Sequence, residues 1–163
     1  MISRLPLLPF LACLLLLVGC AGAPERPTSV RQALFGLSER AAEKVTETPP
    51  LPRPAVDEVL LLTMPEVDTR LGLADTRLLE SLTRALLAVD DGPQVLEWRA
   101  AMAQGGHDNQ WRLESRLSAD GPRLTLSDRE LLPYRLSLTL RRLGRDAPAW
   151  RTEISGALDA TAL

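Results

Sequence analysis

The chain has 163 residues, with 19 Lys and Arg against 21 Asp and Glu and a formal net charge of −2. That balance, spread along the chain without a basic block, excludes the electrostatic surface of a nucleic-acid-binding protein. Hydrophobic residues make up 45% of the sequence and aromatic ones only 4%, so its core must be aliphatic, and the length supports one modest domain.

The N-terminus carries Arg4, then an apolar run from Leu11 to Val18, then Gly19 and Cys20. Charge, an apolar segment and small residues before a cut site is the layout of a secretory signal peptide. The run falls short of the roughly 20 apolar residues that span a bilayer, and Pro6 and Pro9 interrupt a long helix. Leu17-Val18-Gly19-Cys20 resembles the bacterial lipobox. That resemblance implies cleavage before Cys20, a diacylglycerol on its thiol and an acyl chain on the new amine. Each buried methylene contributes about 0.8 kcal/mol, and more than one chain makes such an anchor stable. Ala21 stands where retained inner-membrane lipoproteins carry an aspartate, which implies the periplasmic face of the outer membrane. Cys13 leaves with residues 1–19 and Cys20 is acylated, so no thiol remains for a disulfide.

Residues 20–57 read as a lipidated tether. Within them Val30 to Thr46 is predicted helical, because Val30, Leu34, Leu37, Ala41 and Val45 form one apolar stripe. This helix either packs on its own domain or docks elsewhere. Four prolines between Glu47 and Pro54 form a stiff extended connector.

The domain proper is predicted over residues 58–156. Val59 to Met64 is a continuous apolar run, the pattern of a strand buried on both faces. Asp75 can cap a helix from Thr76 to about Val89, with Leu78, Leu79, Leu82, Leu86 and Val89 on one face. Gln94 to Trp98 is a second strand, expected to lie parallel to the first. Arg99 to Gln104 makes one helical turn, and Gly105-Gly106-His107-Asp108-Asn109 turns the chain. Three alternating segments follow, around Trp111–Leu117, Tyr134–Arg141 and Trp150–Ser155, each a strand with one wet face. Residues 157–163 read as a flexible tail. The sum is an α+β fold, a small mixed sheet covered by one main helix.

The sequence holds no catalytic constellation. His107 is the only histidine and lacks a local nucleophile partner. No Cys/His spacing of a zinc site is present, and no Lys-Ser/Thr follows Gly105-Gly106 as a phosphate loop needs. Asp57-Glu58, Glu66/Asp68 and Asp90-Asp91 read as solvated loop acids. No enzyme activity, cofactor or metal is expected. The arginines Arg112, Arg116, Arg135 and Arg141 fall on wet strand faces. They are either a solvated face with cross-strand ion pairs or a docking surface for an acidic partner. Trp111 and Trp150 read as packing residues.

Glu58-Val-Leu-Leu-Leu-Thr-Met-Pro-Glu-Val-Asp-Thr-Arg-Leu-Gly, then Thr76-Arg-Leu-Leu-Glu-Ser-Leu-Thr-Arg-Ala-Leu-Leu, then Gln94-Val-Leu resembles the penicillin-binding protein activator family LpoB. Tyr134-Arg-Leu-Ser-Leu-Thr-Leu, a turn, and Trp150 in a strand running to Gly156 resemble the family's last hairpin. The same order recurs in CsgG-type secretion lipoproteins and in the TolB N-terminal domain. The resemblance implies an outer-membrane lipoprotein that regulates a bifunctional penicillin-binding protein, or an accessory subunit of a CsgG-type assembly machine. It implies partners at the membrane, through Cys20, and in the envelope. Arg135 and Arg141, from the wet strand faces, are the candidate docking groups, and the charge pattern implies no nucleic acid.

Overall fold

The structure, a computed structural model, describes residues 29–47, 51–103 and 107–160. Helix α1 spans Ser29–Thr46 and buries Leu34, Leu37, Ala41 and Val45, with Ser38 and Ala42 beside them. A connector with Leu51 and Ala55 buried leads to β1 (Val59–Leu62). Then come β2 (Glu66–Val67), a 3-10 turn at Thr69–Leu71, α2 (Asp75–Leu87), β3 (Gln94–Glu97) and a 3-10 turn at Ala100–Ala103. The chain closes with β4 (Gln110–Ala119), β5 (Leu124–Thr125), β6 (Glu130–Arg142) and β7 (Trp150–Asp159).

The strands make one mixed sheet of seven. β1 lies parallel to β3 on one side and to β4 on the other, and β2 pairs with β4 further along. The β1–α2–β3 stretch is thus the parallel crossover unit its sequence order requires. β4 and β6 pair antiparallel from Trp111 opposite Arg142 to Ala119 opposite Tyr134. β7 lines the outer side of β6, and β5 adds a short rung opposite Leu131 and Glu130. One end of the sheet, the near end, is where β1, β3 and β4 begin and β6 finishes. At the far end β6 begins and β7 finishes.

Alternation along the strands sends Leu60, Leu62, Leu113, Leu117, Leu136, Leu138, Leu140, Ile154 and Leu158 into one core with Leu37, Leu78, Leu82 and Leu86 of the helices. Each fully buried leucine contributes about 1.5–3 kcal/mol. Leu61 points to the opposite face and is still only 1% exposed, with Leu96 and Arg112 beside it in register. The continuous apolar run of β1 therefore does mark a strand covered on both sides.

Two features differ from the sequence reading. The sheet is covered by two helices, because α1 packs on α2 and β7 rather than belonging to a tether. A helix about 10–12 Å across covers little more than two strands spaced 4.8 Å apart, so α2 alone cannot roof this sheet. The last strand also runs through Gly156 to Asp159. Glycine here is not a stop. A Cβ at Gly156 would lie 2.5 Å from the Tyr134 hydroxyl oxygen and 2.7 Å from its Cζ, so the missing side chain makes room for the ring on the neighbouring strand.

Candidate functional site

With both helices on one face of the sheet, the other face carries the polar half of each alternating strand. Arg112, Glu114 and Arg116 of β4 stand beside Arg135, Ser137, Thr139 and Arg141 of β6, with Arg151, Glu153 and Ser155 of β7 beyond. The register sets Arg112 directly opposite Arg141, an unfavourable pairing of like charges. Glu114 resolves it by bridging both. Its Oε1 is 3.0 Å from Arg112 NH2 and its Oε2 is 3.1 Å from Arg141 Nε. Arg141 also donates to the carbonyl oxygen of Asp146, and its side chain is only 20% exposed. The Arg112 guanidinium stands 5.6 Å from the Trp98 ring centroid, within cation–π range. Its Nε is buried and makes no hydrogen bond among the described residues.

Arg135 sits in a second cluster. Its NH2 donates to both oxygens of Asp120 at 2.9 and 3.1 Å, and its NH1 donates to Glu153 Oε2 at 3.0 Å. The Asp120 hydrogen bonds, then the nearby acid charges, raise the guanidinium's pKa further above its already high value. Ser137 donates to the other Glu153 oxygen. Between the clusters Arg116 pairs with Glu66 at 2.6 Å.

The structure thus keeps Arg135 and Arg141 on the predicted face and does not bring them together. Six residues apart on β6, they are about 20 Å from each other. One belongs to a cluster of two arginines and one acid, the other to a cluster of one arginine and two acids. The face is therefore graded, positive toward the near end and negative toward the far end. The Arg135 pairs are exposed and contribute little to folding, about 0–1 kcal/mol each, so their charges stay exchangeable, whereas the Arg112–Glu114–Arg141 cluster is half-buried.

The remaining candidates scatter. His107 is exposed, and its backbone N–H donates to Gln110 Oε1 at 3.3 Å. Among the described residues no group of three or more His, Cys, Asp or Glu is placed to hold a metal ion. Asp68 caps the 3-10 turn by accepting from the Arg70 N–H at 2.9 Å, and its carboxylate also takes the Arg70 guanidinium. Those bonds hold its carboxyl well below the usual carboxylate range. Glu58 overturns its reading as a solvated loop acid. It is 8% exposed and accepts the Trp111 indole N–H at 2.6 Å. Adjacency in sequence to Asp57 hid this, because only the β1–β4 register carries Trp111 to Glu58. An open groove of about 570 Å³, lined by Leu79, Thr83, Leu87, Ala88 and Glu97 among others, runs along the outer side of α2. Cys20 lies outside the described residues, and no helix among them is long and apolar enough to cross a membrane.

No protein-family model matches the chain, and no curated protein matches it. Among solved structures it is similar to a Xanthomonas campestris protein of family DUF330, at 12% identity and a TM-score of 0.46. That match covers 68% of this chain and 71% of the other. It is also similar to lipoprotein GNA1162 from Neisseria meningitidis, at 12% identity and a TM-score of 0.46, covering 64% of this chain and 85% of that one.

Proposed function

We propose that this chain is a lipid-anchored accessory protein of the cell envelope, working by protein–protein binding and not as an enzyme. Its partner in this reading is a bifunctional penicillin-binding protein, whose glycan polymerisation and crosslinking it stimulates from the outer membrane. The observation that carries the reading is the Leu17-Val18-Gly19-Cys20 sequence ahead of a domain with the order β1–α2–β3 and then antiparallel β6 and β7. That order is the one the resemblance to the LpoB family implies. The open sheet face supports it, since ion pairs such as Arg135–Glu153 can be exchanged for a partner's charges at small cost and give selectivity.

A second reading, a subunit of a CsgG-type envelope assembly, is favoured by the tether. With α1 packed in the domain, only residues 21–28 separate Cys20 from the helix. At 3.3–3.6 Å per extended residue they span at most about 29 Å, which keeps the domain close to its membrane. The lipidated chain, immobilised and incubated with detergent-solubilised envelope at physiological salt, should retain a bifunctional penicillin-binding protein and sediment as a monomer when alone. Sedimentation as a large closed assembly, with no synthase retained, would replace the first reading with the second.

A further inference from the structure

The hairpin that closes the far end of the sheet carries two exposed leucines. Leu124 is 46% exposed and Leu126 is 48% exposed, and the Leu126 N–H donates to the Arg129 carbonyl at 2.8 Å to close the turn. Leu131, half-buried, lies opposite Leu124. Every residue from Arg123 to Arg129 is exposed, so the hairpin stands clear of the core. Its charges are already matched within it. Arg123 pairs with Glu130 at 2.8 Å and Arg129 with Asp128 at 2.6 Å.

The tether enters at this same end. The C-terminus of α1 is tied to the segment that leads into the near end, because Arg53, six residues before β1 begins at Val59, donates to the Thr46 carbonyl at 3.0 Å. Further back in the helix, Arg40 donates to the Tyr134 hydroxyl at 2.6 Å. From Arg40 to Ser29 the helix runs on toward the far end for about 16 Å at 1.5 Å per residue. Along β6, Tyr134 to Glu130 covers about 14 Å in the same direction. The first turn of α1 and the leucine hairpin therefore both lie on the far-end side of Tyr134, and residues 21–28 let the Cys20 acyl chains reach no more than about 29 Å from the first turn of α1.

We propose that the hairpin around Leu124 and Leu126 is a second, non-covalent membrane contact, resting in the interface of the leaflet that holds the acyl chains. This rests on the reading that Cys20 is lipidated. Exposed apolar side chains on a charge-neutral tip are the chemistry that a lipid interface accepts. The tether length commits this surface to the bilayer rather than to a protein at a distance. The contact turns a swinging domain into an oriented one, with the near end and its Arg112–Glu114–Arg141 cluster directed away from the membrane.

The test uses the lipidated chain in vesicles of phosphatidylethanolamine and phosphatidylglycerol. Acylation blocks Cys20, so Leu126→Cys can carry the environment-sensitive dye NBD, with Arg145→Cys as the near-end control. Flotation with the vesicles reports the anchor. The expected result is a blue-shifted NBD at position 126, quenched by lipids spin-labelled in the acyl chain, and an unquenched NBD at position 145. Adding Leu124→Asp should weaken the quenching at 126 without releasing the chain from vesicles. A chain that floats with position 126 unquenched overturns the contact, and so does a label that is shielded yet blind to the lipids, which assigns the leucines to a second copy of the chain. A chain that does not float overturns the anchor and this proposal with it.

Discussion

Tyr134 and Gly156 show how a single missing side chain sets the course of a strand. The ring of Tyr134 lies where a Cβ on Gly156 would be, and its hydroxyl takes a hydrogen bond from Arg40 at 2.6 Å, so sheet and α1 are joined at that spot. Gly156→Ala should destabilise the domain by about 1–3 kcal/mol through overpacking, read as a lower urea midpoint, and an unchanged midpoint would mean the ring has room to move. Asp68 makes a different expectation. Its folded-state pKa lies below its unfolded value because Arg70 hydrogen-bonds the carboxylate. Its contribution is thus present at neutral pH and lost as pH falls below about 4, where the unfolded chain takes up the proton first. Asp68→Asn keeps the capping oxygen and removes the charge, so wild type and variant should differ at pH 7 and converge in acid. A gap that widens in acid would have the wrong sign. Neither feature was legible in the sequence. Gly156 looks like a strand end until it is known that Tyr134 stands opposite, and Asp68 looks like one of several loop acids.

At the scale of elements, periodicity was sufficient where a segment is long and one-sided. The three alternating strands and both helices lie where their spacing puts them, and the antiparallel end of the sheet follows. β2 and β5, two residues each, are too short for any period to appear. The destination of α1 stays open in the sequence, and the structure takes the first alternative, packing on its own domain. A stripe at three- and four-residue spacing says that a face is buried and not against what, and the prolines after Thr46 read as a stiff extended connector. Burial of Leu51 and Ala55 makes that stretch part of the roof instead. Leu37 is fully buried, so Leu37→Ala should cost about 2–5 kcal/mol, measured by thermal or chemical unfolding. A tether helix would show no such loss.

For the whole molecule, the Leu17-Val18-Gly19-Cys20 sequence carries the expected address in the chain itself, and Cys20 lies outside the described residues. The polar face of the sheet could be read only in part. Alternation placed Arg135 and Arg141 on one face, while the cross-strand acids that hold them in two separate clusters depend on the register of β4, β6 and β7. Because the Arg135 pairs are exposed, Arg135→Ala should change folding stability by no more than about 1 kcal/mol, which leaves it usable as a probe of binding, while Arg141→Ala, at a side chain half-buried against Glu114, should cost more. The measurement that bears most directly on the account is glycan polymerisation from lipid II by the bifunctional penicillin-binding proteins of the same envelope, with and without the domain from Ala21. Stimulation of one synthase is expected, with a reduced effect for Arg135→Ala at unchanged stability. Equal rates with and without the domain, for every synthase, would contradict it.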